Sequence, residues 1–492
     1  MHMKTTKITA RYVIGFKDDG HHIYEHGELV YQGDTVLFVG HDYQGQVDDT
    51  QNLGNALVGP GFIDLDAVAD LDSTVLAFDH QPGWKKGRLP ASDWLRRETY
   101  SDAELDFNKR YAFSQLLLNG ITTIAPITSI LYREWAETAD EFRRAADIAA
   151  SLGVRAYLGP AYMSGYGVVN PNGNFDMRFD ERRGLQGLEE AVHYAEQLDQ
   201  YGDTIRGMLA PDRIEGCTPE LLRQTARAMR ELDCPVRLHS CQGEFELEMV
   251  HQLHNGMSSV ELMAENDLLD RRLLLPHLQL LGGKHSTPDK IARELALLGQ
   301  SGASAVICPL VAGRHAKYFN GVSRFREAGI NISLGTDTYP PDMIQNMHIG
   351  AILSRVERGN ITEASAADYY NMATLGGARA LGREDIGRLC PGARADIMVF
   401  DFDRIHTGQV FDPITAMVIN GNGRDIKGVI INGDRVVWDG QLVKLGLDLQ
   451  QLHHQAQKQF DGFIASYPER CHQHPPLTEI FPPSFPLSRR NR

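Results

Sequence analysis

Four residues far apart in the chain have the types and settings to do chemistry together. Asp66 ends Phe-Ile-Asp-Leu-Asp, His239 ends Val-Arg-Leu-His, His277 sits in Leu-Leu-Leu-Pro-His-Leu, and Asp337 follows Leu-Gly-Thr. Each closes a short apolar run that reads as a strand. Two imidazoles and two carboxylates suit a borderline divalent cation, zinc first, with manganese, iron and cobalt as alternatives. Carboxylates crowd the earliest of these segments, 58–72, at Asp64, Asp66, Asp70 and Asp72. On a strand, Asp64, Asp66 and Val68 share one side. Such carboxylates repel one another unless a cation, water or hydrogen-bond donors compensate. Asp66 is the first candidate ligand, Asp70 and Asp72 remain alternatives, and Asp64 reads as a structural hydrogen-bond partner. Too few strand-end side chains of ligating type remain for a pair of ions, so about one divalent ion per chain is expected.

These residues can meet only if the chain brings strand ends together. After the break at Pro60-Gly61, strand-like runs occupy 61–66, 120–128, 154–163, 205–212, 236–241, 273–281, 304–312 and 331–338. Segments with apolar residues at three- and four-residue intervals separate them: 102–118, 134–151, 182–200, 219–232, 244–265, 287–299, 320–328 and 342–357. Strict alternation of eight such units predicts a parallel (β/α)₈ barrel over 58–384, with the active face at the strand C-termini. An open doubly wound sheet is the alternative, but no GxGxxG opens the first helix. Residues 1–57 and 385–445 carry short alternating strands and turns, and are expected to form one small discontinuous β-sandwich domain. Residues 446–492 read as a helix followed by a proline-rich tail, lying against the barrel or a neighbouring subunit.

Composition bounds the rest. A formal charge of −15 argues against nucleic acid or an anionic membrane as partner. The six cysteines lack CxxC spacing and fit free thiols in a reducing compartment. No signal-peptide core or membrane-length apolar run is present, so a cytoplasmic protein acting on a small molecule is expected, and a homo-oligomer. A lone strand histidine is more often packed than ligating, and Asp337 taken alone reads equally as a helix cap before Pro340. Recurrence at separate strand ends is what favours a site. Trp84, in the long loop after the first strand, is a candidate substrate contact. His80, His285, His315 and His348 read as loop histidines.

Pro60-Gly61-Phe62-Ile63-Asp64-Leu65 resembles the first barrel strand of the amidohydrolase superfamily, where the next positions read His-x-His. Here they are Asp66-Ala67-Val68. His239 matches the fifth-strand ligand, His277 the sixth-strand histidine and Asp337 the eighth-strand aspartate. The stretch ATLGGARALGREDIGRLCPGARADIMVFD (373–401) is similar to the superfamily's return into its β-sandwich. The likeness spans about residues 50–440 and is strongest to the atrazine-chlorohydrolase and cytosine-deaminase-like branch. The altered first-strand pair suggests something similar to phenylurea and molinate hydrolases. The resemblance implies metal ligation by Asp66, His239, His277 and Asp337. It also implies a general-base role for Asp337 and oxyanion stabilisation by His277. Where the branch has a proton-shuttling glutamate, this chain has Gln242, leaving Glu244 or Glu246 as substitutes and Gln242 as a substrate contact. The branch's second sixth-strand histidine is Leu280 here. Hydrolysis of a non-peptide C–N bond in an amide, urea, carbamate or cyclic amide is therefore expected. Deamination of a nitrogen heterocycle is the first alternative, and a non-catalytic barrel the second.

Overall fold

A computed structural model describes residues 3–71, 89–127, 133–317 and 322–488. Trp84, Asp72 and His80 lie outside the described residues. The eight expected strands are present as two parallel four-stranded sheets. In the first, Phe62–Ala67, Ile121–Pro126, Arg155–Leu158 and Ile205–Gly207 lie side by side in chain order. In the second, Val236–Arg237, Leu273–Pro276, Ser304–Ile307 and Asn331–Leu334 do the same. The sheets touch at both edges. Leu209 bridges Val236 in parallel, with Arg237 N donating to Leu209 O at 2.9 Å. At the other edge Asp337 N donates to Asp66 O at 2.8 Å.

The strands are buried on both sides, which is why they read as near-continuous apolar runs. Ile63, Leu65, Ala125, Tyr157, Met208, Leu274 and Val306 pack together between them. The helices start where side-chain caps are available: Thr218 accepts from Leu221 N just ahead of Pro219, and Asp342 accepts from Gln345 N. Val68, the residue that breaks the expected ligand pair, is wholly buried in the apolar core.

Strands from the two ends of the chain share one nine-stranded sheet. Ile397–Asp401 pairs antiparallel with Ala56–Pro60, which lies parallel beside Thr5–Lys17. These strands form a single continuous sheet. Two strands of 13 residues, Thr5–Lys17 and Gly20–Gln32, run through it. It curls far enough for Thr35 near one end to bridge Arg394. Ile8, Val13, Leu29, Val58, Ile397 and Ile430 fill its interior.

Arg155 ties this sheet to the parallel strands. Fully buried, it donates from Nε to Asp396 Oδ2 at 2.8 Å. Asp396 also accepts from Asn432 N at 2.8 Å. The tail helix Leu449–Ser466 packs Leu452 and Ala456 on Phe107 and Leu71. Beyond it, Phe463, Tyr467, Cys471 and Ile480 pack on Cys308 and Val311. Removing one partner of a buried ion pair leaves the other charge uncompensated. Asp396→Ala is therefore expected to lose about 3–5 kcal/mol of stability, read as a lower guanidinium midpoint.

Candidate active site

The strand Phe62–Ala67 turns Asp64 and Asp66 to the same side, and both are fully buried. Asp64 is a clasp, as its position suggested. It accepts from Thr336 Oγ1 at 2.6 Å, Thr336 N at 3.1 Å and Asp66 N at 3.2 Å. Burial pushes its carboxyl up to about 7 against those hydrogen bonds. Together with the Asp337 N to Asp66 O bond, the clasp ties the first-strand end to the eighth. Gly335 permits that approach, since a Cβ there would lie 2.5 Å from Asp66 Cβ.

Asp66, His239, His277 and Asp337 converge. All four are buried, and one ligand atom from each lies within 4.8 Å of the others. His239 Nε2 is 3.4 Å from Asp66 Oδ1. His277 Nε2 is 4.0 Å from both Asp66 Oδ2 and Asp337 Oδ2. His239 Nδ1 lies 3.1 Å from Asp212 O. A carbonyl only accepts, so Nδ1 carries the hydrogen and Nε2 turns its lone pair to the cluster, the arrangement of a ligating imidazole. Burial opposes charge on Asp66, but His239, Arg237 and His277 outweigh it and hold the carboxyl below its ordinary value. Asp66 Oδ1 is buried without a hydrogen bond among the described residues. Two nitrogen and two oxygen donors of this kind, with one imidazole already oriented by a carbonyl, fit a divalent cation.

The backbone is strained where these side chains are presented. His277, Leu278, Asp337 and Cys241 have φ of 73°, 48°, 56° and 54°. Non-glycine residues in that region cost about 1–3 kcal/mol each and cluster at functional sites.

The four residues border a cavity of about 630 Å³ to which His239, His277 and Asp337 contribute directly. Asp70 lines its wall, outside the four-residue cluster. Gln242 lines it too, accepting from Lys317 Nζ at its carbonyl, 2.8 Å away. Of the suggested substitutes, Glu244 is exposed at the rim. Glu246 is buried, with Cys241 N, Gln242 N and Ser259 Oγ donating to its carboxylate at 2.5, 2.8 and 2.5 Å. His315 lines the cavity, whereas His348 does not and its Nδ1 lies 3.1 Å from Val418 O.

Some residues of the site were not anticipated. Arg237 is fully buried with Nε 3.9 Å from Asp66 Oδ1. Strand alternation places it on the face of His239, two residues on, and this signal was available in Val-Arg-Leu-His. Arg470 comes from the tail and is fully buried against the cavity. No local pattern marks it, because only tertiary packing of the tail on Cys308 and Val311 brings it there.

With this geometry established, relatives are informative. Residues 60–436 match the Amidohydrolase family. The chain belongs to that family. It is an enzyme, a hydrolase acting on carbon–nitrogen bonds other than peptide bonds. It is 29% identical over 426 residues to a 5-methylthioadenosine/S-adenosylhomocysteine deaminase of Halobacterium salinarum, covering 85% of this chain and 88% of the relative. A 5'-deoxyadenosine deaminase of Methanothermobacter thermautotrophicus is 28% identical over 358 residues, 72% of this chain and 77% of that one. Among solved structures, an adenosine deaminase from Xanthomonas campestris with bound zinc superposes with a TM-score of 0.75 at 19% identity, covering 94% of this chain and 98% of that one. Atrazine chlorohydrolase TrzN from Arthrobacter aurescens TC1, complexed with zinc, gives 0.72 at 20% identity, covering 92% and 99%. Among the described residues, no helix is long and apolar enough to cross a membrane, and the six cysteines are all free.

Glu246 generates a pH test. Burial first, then the charge of Glu215, pushes its carboxyl up to about 7 from 4.5. In that window the folded state holds a proton that the unfolded state has released. Stability from this group is full below 4.5 and is lost as pH rises through about 7. Melting measured across pH 4–8 should show Glu246→Gln losing that part of the decline.

Proposed function

We propose that the two parallel sheets close into one (β/α)₈ barrel over 58–384, with 1–57 and 385–445 as a separate β domain and 446–492 as a tail packed on the barrel. The paired edges, Leu209–Val236 and Asp337–Asp66, support this reading. The same reading makes the chain a metal-dependent hydrolase of an amide, urea, carbamate or cyclic amide in a small molecule. The observation that carries it is the buried quartet of Asp66, His239, His277 and Asp337 beside a cavity of about 630 Å³. Those four side chains would hold one divalent ion, zinc by preference, with manganese, iron or cobalt as substitutes. The ion supplies Lewis acidity toward a carbonyl and a nucleophilic water at neutral pH.

The chain's own groups supply the rest. Asp337 accepts a proton at its carboxylate and passes it toward the departing nitrogen. Its backbone is tied to Asp66 O, so the carboxylate keeps its place while it does so. His277 either ligates with the other three or, left free of the ion, donates a hydrogen bond to the substrate oxygen as negative charge develops there. Asp212 O keeps His239 in one tautomer. Arg237 balances the charge of Asp66 from below. Gln242 positions the substrate, and Trp84 is a proposed contact from the loop after the first strand. We also take the protein to be cytoplasmic and homo-oligomeric, in line with its acidic charge and free thiols.

A second reading, deamination of a nitrogen heterocycle, is favoured by the names of the curated relatives. Against it stands Gln242, whose amide cannot exchange protons with a ring nitrogen. Glu246 is nearby, but its two oxygens already take Cys241 N, Ser259 Oγ and Gln242 N.

Protein purified without added metal should contain about one divalent ion per chain by elemental analysis. Loss of activity on chelation, restored by zinc, is the expected companion. A panel of N-acyl, ureido and carbamate compounds, set beside cytosine, guanine and triazine analogues, separates the two readings. Reaction of the heterocycles alone, with release of ammonia, selects the deaminase. On the active compound, Asp337→Asn should lower kcat by roughly 10²–10⁴-fold. Gln242→Ala should do less, acting mainly on KM.

A further inference from the structure

Glu215 has no part in the chemistry above, yet it is built into the same wall. It belongs to the short turn Ile214–Gly216. The residue before that turn, Arg213, pairs with His239 through a parallel bridge, and Ile214 N donates to His239 O at 3.1 Å. The turn is thus hydrogen-bonded to the backbone of a cluster residue. The Glu215 side chain is 4% exposed and lines the cavity shared by His239, His277 and Asp337.

Its two oxygens differ. Oε1 accepts from Arg213 Nε at 2.8 Å. Oε2 is buried with no hydrogen-bond partner among the described residues. Gln242 Oε1, in the same wall, is buried and equally lacks a donor. Beside Glu215 stand Arg213, which it already engages, and the carboxyls of Asp212 and Glu246. A desolvated carboxylate oxygen without a donor is costly, and no described side chain relieves it. A salt-bridge role alone would account for Oε1 and leave Oε2 unexplained. The cavity wall also carries Met163, Tyr166, Phe175, Met177 and Met249, an apolar surface for a flat or hydrophobic group.

We propose that Glu215 is a specificity-determining residue whose Oε2 accepts a hydrogen bond from an N–H group of the substrate. The class selected is then an amide, urea or amino compound that keeps at least one hydrogen on nitrogen, with an apolar body. This rests on the cavity beside the quartet being the substrate cavity, and it narrows which C–N compounds enter it. A site built to bond an N–H discriminates against an analogue lacking it more strongly than an apolar pocket discriminates on size.

The test is equilibrium binding by calorimetry, in the Asp337→Asn background so that turnover does not intervene. Three matched pairs serve as probes: phenylurea and its fully N-methylated counterpart, acetanilide and N-methylacetanilide, and 6-aminopurine and 6-dimethylaminopurine. The parent should bind the N–H member of at least one pair about 10- to 100-fold more tightly. Adding Glu215→Ala should bring that ratio toward one, and adding Glu215→Gln, which keeps a carbonyl acceptor, should reduce it less. A purely structural role weakens both members of a pair alike and leaves the ratio unchanged, which overturns the proposal. So does a parent that shows no preference in any pair or binds none of the probes. Failure of the hydrolase reading looks different: the wild type would turn over none of the amide or urea N–H compounds while the binding preference and its loss on Glu215 substitution persisted.

Discussion

The seam between the first and eighth strands is the constraint on which the site depends. Asp64 is buried where no solvent can compensate it, and Thr336, at the eighth-strand end, supplies two of its three donors, Asp66 N being the third. Two residues beyond Asp64 and one beyond Thr336, Asp337 N meets Asp66 O. The two acidic members of the quartet are therefore held by a carboxylate that performs no ligation. Gly335 is small because Asp66 lies where its side chain would be. A seam of this kind costs strain, visible in the left-handed backbone of Asp337, and the closely hydrogen-bonded surroundings hold it.

Charge balance explains how this quartet differs from the family's first-strand histidine pair. Replacing a neutral imidazole by Asp66 adds negative charge to a dry site, and Val68 removes a ligand. Arg237 compensates from the same face as His239, anchored by the carbonyls of Ala125 and Pro126. The substituted aspartate and the buried arginine form one electrostatic unit in this geometry. With His239 3.4 Å and Arg237 3.9 Å from Asp66, the carboxyl is held below its ordinary value in spite of its burial.

The tail illustrates how remote sequence enters a site. Its apolar side chains are too few to form a core of their own, and they complete one with Cys308 and Val311 at the seventh-strand end. Arg470 thereby reaches the cavity, its main-chain carbonyl accepting from Ala91 N at 2.6 Å. The cavity wall is thus assembled from loops at the strand ends, the turn at Glu215 and the tail together, while the buried Asp–His quartet comes from strand ends alone.

Strand and helix periodicity in the sequence determined the eight alternating units, and with them which residues stand at strand ends. That is why Asp66, His239, His277 and Asp337 were legible: strand ends of a parallel sheet face one way, so position along a strand predicts convergence. Asp64 was legible as a structural group for the same reason of alternation. The curled single sheet at the chain ends was not, because short alternating strands specify an inner and an outer face without specifying which neighbours they pair with. Nor were Glu215 and Arg470. Their side chains look like ordinary surface charges in sequence, and only packing decides that one turn hydrogen-bonds to His239 and that the tail lies over Cys308. Local pattern encodes the direction of a side chain; which distant segment it then faces is set by the closure of the fold.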